Sequence, residues 1–300
     1  MTAKMIPVVT MTDAILTSST VPENDHAVWD GVTTYALDDR VIKGHKIWIS
    51  TQGSNLNHDP ETDDGTWWSE GLATNRWKVF DGYIQDQASQ ADEMSWELTP
   101  SQIVTAVSFF NLDAQTVTVT QTDPVEGVVY DETFDLNDTS AVFDAWSYFF
   151  GEIVFRNNLC ITGLLPYAAS VIDVTVSNTG GTAKLGQLAI GAVNELGITA
   201  NQVPLGIEDY TRLNEDEFGR TSPAIRGYAR TASPLIMVDT ERVRYLERLV
   251  AEQRGLPTVW SFDTSNAEND LVYIGYFRRF SMVYQYAKKT TFDLEIRSLV

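Results

Sequence analysis

The chain has 300 residues, 43% of them apolar and 11% aromatic, enough for more than one packed core, and its 21% charged residues exclude a disordered protein. Its formal net charge is −20, unevenly spread: residues 1–219 hold 9 basic and 32 acidic side chains, residues 220–300 hold 12 and 9. So negative a front part repels nucleic acid and anionic lipid, and neither is expected as a partner, whereas the Arg-rich end suits contact with an acidic neighbour.

Cys160 is the single cysteine, so no intrachain disulfide can form and folding in a reducing cytoplasm is expected. In the apolar run LCITGLL it reads as a buried small hydrophobe. No run of 18 apolar residues occurs, and the N-terminus lacks the apolar core and cleavage site of a signal peptide. Neither membrane insertion nor export by the usual routes is expected.

Taken in order, residues 1–24 read as an extended arm that pairs with a strand elsewhere or with another subunit, since an isolated strand is not stable. Residues 25–74 hold three short strand candidates, TTYAL, RVIKG and KIWIS, with Gly44-His45 as a hairpin break between the last two. Residues 75–200 are β-rich: MSWELTP, IVTAVSFFNL, QTVTVTQT, VVYDETFDL, IVFRN, VIDVTVSN and AKLGQLAIG recur with Asn/Asp/Gly turns between them. That spacing predicts an antiparallel sandwich or jelly roll, with Gly180-Gly181 as a turn and one helical turn near Phe143 to Phe149. Residues 201–300 read as an α+β region: a helix over about 240–254, capped by Asp239 and closed by Gly255, then strands in PTVWSFD, LVYIGYFRRFSMVYQY and TTFDLEIRSLV. The expected class is mainly β, in three parts behind the arm.

Catalytic chemistry finds little support. His26, His45 and His58 all lie in the first fifth of the chain, have no nucleophile motif near them, and read as lone loop histidines. The acidic cluster Asp59, Glu61, Asp63, Asp64 lies near a cation-loop pattern, but Gly65 falls one position late and no bidentate Glu follows, so no metal is expected. Glu215, Asp216 and Glu217 read as an exposed acidic turn. No cofactor motif is present, and the expected protein is not an enzyme.

Five of the eight tryptophans fall between Trp29 and Trp77. A segment of about fifty residues cannot bury so many rings, so some are expected to face a partner. Trp and Tyr stack on the apolar faces of sugars, with Asp and Asn available to bond hydroxyls. Trp29 and one of Trp67 and Trp68 are expected in the small core. Adjacent residues of a strand point to opposite faces, so the other of that pair, with Trp48, is expected to point outward.

The order Trp29, Tyr35, Asp39 with Val41, Gly44, Trp48, Asn57 with Pro60, then Trp67 or Trp68 resembles the small chitin-binding-type carbohydrate-binding modules. Asp38 stands where that pattern has Gly, and Trp48 where it has Tyr. The resemblance implies a three-stranded sheet binding sugar through Trp48, Trp67, Trp68, Tyr35 and Trp29. The lead-in MTDAILTSSTVPENDHAVWD and the exit ATNRWKVFDG resemble tail proteins of long-tailed bacteriophages that carry this module. That likeness implies a structural protein of the tail tip or baseplate, present in several copies in the virion and assembled in the bacterial host. Its neighbours would be other tail proteins and host surface glycans, with Arg220, Arg226, Arg230, Arg278 and Arg279 as the docking side. Two alternatives are a free carbohydrate-binding adhesin and, less well matched, a polysaccharide depolymerase, whose repetitive β-helix character is missing here.

Overall fold

The computed structural model describes residues 2–138, 144–151, 154–199, 203–215, 217–262, 271–283 and 288–300. Phe143, Ile153, Asp216, Asp263 and residues 284–286, which belong to expected elements, lie outside them. The fold is mainly β, with antiparallel sheets and one clear helix. Two strands come first, β1 (Thr2–Pro7) and β2 (Leu16–Ser19). The Trp-rich segment follows as β3 (Ala27–Val28), β4 (Thr34–Tyr35), β5 (Arg40–Lys43), β6 (Lys46–Ser50), β7 (Asn55–Leu56) and β8 (Trp68–Ala73). Next come β9 (Ala88–Leu98), β10 (Ala106–Asp113), β11 (Thr116–Asp123), β12 (Gly127–Asp135) and β13 (Asn137–Asp138). A six-residue helix α1 (Ala145–Phe150) precedes β14 (Val154–Phe155), β15 (Asn158–Ile161) and β16 (Val171–Gly191).

The last third holds β17 (Asn194–Thr199), β18 (Leu205–Asp209), β19 (Arg212–Glu215), β20 (Thr221–Ala224), β21 (Tyr228–Ala232) and β22 (Leu235–Asp239). A 3-10 turn (Thr240–Arg242) then runs into α2 (Val243–Glu252), and β23 (Thr258–Phe262), β24 (Leu271–Val283) and β25 (Lys289–Ser298) close the chain.

The sandwich is one seven-stranded sheet folded onto itself. β9 and β16 pass through both layers and bend where their register shifts between Asn178 and Thr182. Gly180-Gly181 is therefore not a turn between two strands. It is a bulge inside one 21-residue strand, with Gly180 at φ 76° and Asp92 opposite at φ 61°. Alternation fills the space between the layers: Val117 and Val119 from β11, Val174 and Val176 from β16 and Met94 and Trp96 from β9 all point into one core.

The C-terminal sheet closes on itself, because β25 pairs β22 on one side and β24 on the other. The closed path is β25-β22-β17-β1-β23-β24, a six-stranded antiparallel barrel whose core receives Val243, Leu246 and Val250 of α2. The fourth strand of that path is the first in sequence. β1, expected in an extended arm that pairs with a strand elsewhere or with another subunit, pairs within the chain: it sits between β17 and β23 with Ala3 and Met5 fully buried. β17, read from sequence with the preceding block, also belongs to the barrel. Asp239 precedes the helix but makes no side-chain cap bond; it pairs with Lys289 at 2.6 Å instead. Gly255 takes φ 75° after α2.

Sandwich and barrel share an apolar seam of Ile6, Ala106, Phe110, Ala189, Val259 and Ile274. Gly191 is required there: a Cβ would lie 2.1 Å from the Pro7 carbonyl oxygen. Cys160 joins this seam only half-buried, accepting a hydrogen bond from Ser108 Oγ at 3.2 Å. Because β1 and β2 belong to barrel and sandwich, the Trp-rich module between β2 and β9 is an insertion in the body. Its two ends meet: Thr74 Oγ1 donates to Glu23 at 2.8 Å, and the Asn75 N–H donates to Asp25 at 3.1 Å. Among the described residues no helix is long and apolar enough to cross a membrane.

Candidate functional site

The module sheet runs β3-β5-β6-β8, with the β4–β7 pair beside it. Of the three expected strands only RVIKG and KIWIS are in that sheet; TTYAL pairs with Asn55–Leu56 instead, and Ala27–Val28 and Trp68–Ala73 complete the sheet. Gly44 and His45 take φ 57° and 63°, as both central residues of a tight two-residue hairpin require. Asp38, in the place of the pattern's Gly, adopts φ 67°, so the left-handed turn survives the exchange. The Asp39 carboxylate accepts the Ala36 N–H at 2.6 Å and locks that turn.

The tiny core consists of Tyr35, Val41 and Trp68, with Trp29, Trp48 and Trp67 packed half-buried around it. Trp68 is 1% exposed, stands edge-on to Tyr35 at 5.2 Å, and donates its indole N–H to the His58 carbonyl at 2.8 Å. Tyr35 is buried as well, its hydroxyl held by the backbone of Asp30. The resemblance implied both as sugar contacts, whereas strand alternation expected one of Trp67 and Trp68 in the core. They are scaffold, because five rings in so small a sheet must first build its interior. The Trp48 indole donates to the Lys43 carbonyl at 3.0 Å. Trp29 carries the Lys43 ammonium 4.1 Å above its ring, a cation–π contact.

Trp67 lies flat on the His58 imidazole, centroids 3.9 Å apart and planes within 8°. Trp67 of this stacked pair packs half-buried against the small core. It is set by the acidic loop: Asp63 accepts the backbone N–H groups of Gly65, Trp67 and Trp68, each at 3.0 Å. Asp59 pairs with Lys43 at 2.6 Å, which holds its carboxyl below the usual range. The carboxylates of this loop are thus engaged as fasteners, and among the described residues no group of three or more His, Cys, Asp or Glu is arranged around a cation position.

Two of the three histidines, His45 and His58, are not lone loop residues. His45 bonds Asp13 through Nε2 and Glu23 through Nδ1, both at 2.8 Å, and stacks on Trp77. Sequence offered the carboxylates but not their convergence, since each lies more than twenty residues from His45.

The five arginines expected as a docking side divide. Arg220 and Arg226 are exposed on a protruding hairpin, Arg278 and Arg279 are exposed on β24, and Arg230 is half-buried at the hairpin's root. Arg278 is tied to Glu208 at 3.5 Å, with Arg297 on the same carboxylate at 3.2 Å. The hairpin itself, β18–β19 against β20–β21, had no signal in the sequence beyond its charges.

No protein-family model matches the chain, and no curated protein matches it. The fold and these contacts therefore define the molecule by themselves: a three-part β-protein with an inserted aromatic module.

Proposed function

We propose that the chain is a non-enzymatic structural component of a bacteriophage tail tip or baseplate, and that its inserted module contacts host surface glycans. One observation carries the assembly half. The hairpin from Leu205 to Ala232 stands largely exposed, with every residue of β19 and β20 in solvent and Leu213 and Ile225 at 70% and 86% exposure. A lone two-stranded hairpin is marginal in water, and such apolar exposure is the mark of a surface that is covered in use. The sugar half rests on Trp67 and His58, with half-buried Trp48 and Trp29 beside them.

Module and body can be tested separately in the intact chain, because the module's ends meet. Replacing residues 25–74 by a short Gly-Ser linker should leave incorporation into tails unchanged and abolish glycan binding. Loss of incorporation would overturn the division of labour. A free adhesin is the second reading; it predicts glycan binding with no association to tails at all.

A further inference from the structure

Arg230 was expected on a docking side and lies half-buried instead. Alternation along β21 turns it to the same side as Ala232, a residue of the barrel core. Its backbone is pinned, the Arg230 N–H donating to Ser298 Oγ at 2.8 Å. Its guanidinium is not: among the described residues it makes no hydrogen bond and no ion pair. Arg278 and Arg297, by contrast, converge on Glu208. In a chain with 41 acidic and 21 basic side chains, a half-buried arginine without a carboxylate calls for a reason. A second donor beside it is also unpartnered. Tyr273 on β24 is only 7% exposed, yet its hydroxyl meets no hydrogen-bond partner among the described residues. A buried tyrosine normally finds one. Burial pushes that hydroxyl up from its ordinary pKa and the Arg230 charge pulls against it, so the two groups are close and the hydroxyl keeps a proton to donate.

Arg230 and Tyr273 line one cavity of about 70 Å³ where sandwich and barrel meet. Two further donors share it. Ser298, whose oxygen accepts from the Arg230 backbone, still has its O–H to give. Asn158, whose amide oxygen accepts from the Asn111 N–H at 3.2 Å, still has its NH2 group. No Asp, Glu or Lys is among the described residues that line the cavity, and Phe110, Ile274 and Leu299 give it an apolar wall. We infer that this cavity is a binding site for a small monocarboxylate. The Arg230 fork takes the two carboxylate oxygens, Tyr273 and Ser298 donate to their remaining lone pairs, and a short apolar tail lies on Phe110 and Ile274. A single guanidinium matches one negative charge better than the two of a phosphate. The volume holds roughly five water-sized positions, enough for an acid of about three carbons.

Such a ligand needs no partner protein, so the site stands or falls apart from any role in a tail. Purified full-length chain is titrated with sodium propionate at pH 7 and constant ionic strength. Binding is read by saturation-transfer NMR and by the rise in thermal midpoint. Propionamide, the neutral counterpart, and inorganic phosphate are the comparison ligands. Propionate should saturate the site with a Kd on the order of 1 mM, and propionamide should bind at least ~10-fold more weakly. Arg230→Gln should weaken propionate binding at least ~10-fold and Tyr273→Phe about 5-fold. Tyr273→Phe removes an oxygen that has no partner in the chain, so the unliganded variant should keep the wild-type midpoint and its lost affinity reports the site alone. Full affinity in either variant, equal affinity for propionamide, or no saturable binding below about 50 mM propionate overturns the inference. Tighter binding of phosphate than of propionate overturns the choice of a carboxylate.

Discussion

The His45 ring of the module lies stacked on the Trp77 ring of the sandwich, centroids 4.2 Å apart and planes at 25°. His45 is at the same time bracketed by Asp13 and Glu23, and Arg76 donates to the Val21 carbonyl at 2.7 Å. These contacts fix an insertion to its host. His45→Ala should therefore cost about 1–2 kcal/mol of module attachment. Limited proteolysis should show faster cleavage near residues 20–27 and 72–78, with the sandwich core intact. Unchanged cleavage would mean that backbone pairing alone holds the module.

Trp67 and Trp68 are neighbours with opposite fates. Trp68→Ala empties the module core and should cost about 3–5 kcal/mol, enough to unfold a sheet this small. Amide exchange across residues 34–73 should then lose its protection. Trp67→Ala should leave that protection in place while weakening glycan binding at least ~10-fold, as loss of a stacking ring does. Equal loss of protection in both variants would make Trp67 scaffold as well.

Asp38 holds a left-handed backbone at φ 67°. Asp38→Gly should stabilise the module by roughly 1 kcal/mol, and Asp38→Val should destabilise it by about 1–2 kcal/mol, because a β-branched residue is poorly tolerated there. Thermal melts of the two variants give the comparison, and the same order of stability for Val and Gly would refute the turn argument.

Asp81 follows the 3-10 turn Lys78–Phe80 at the join between module and sandwich. Burial pushes its carboxyl up to about 6 from 3.8, nearby Asp86 adds to this, and one oxygen is buried without a partner. A carboxyl with a raised folded pKa binds more protons folded than unfolded between those two values. Its contribution to stability is full below about pH 4 and is lost as pH rises through about 6. Asp81→Asn should flatten that part of the pH–stability profile and raise the melting point at pH 7. An unaltered slope between pH 4 and 6 would show that other groups set it.

The sequence made legible what alternation and turn residues encode. Val117 and Val119, or Val174 and Val176, announce half-buried strands, and the stripe Val243, Leu246, Val250 announces α2. The place of β1 was not legible, because its partners lie far along the chain, Ala3 facing Gly197 and Phe262, and such pairing leaves no local trace. Strands β18 to β20 were missed for another reason. Exposed strands such as Arg212–Glu215 and Thr221–Ala224 bury no face, so they show no period of two. At the site, adjacency in the chain marked Trp67 and Trp68 as different but not which was buried. The deciding contact, Trp68 on Tyr35, joins residues 33 positions apart.

The proposed place of the chain in a tail is tested most directly by its location in purified particles of a bacteriophage that encodes it. A virion reconstruction should show sandwich and barrel in repeated copies at the tail tip, with the inserted module projecting from their side. Absence of the chain from purified tails, with all of it free in the lysate, would contradict the claim.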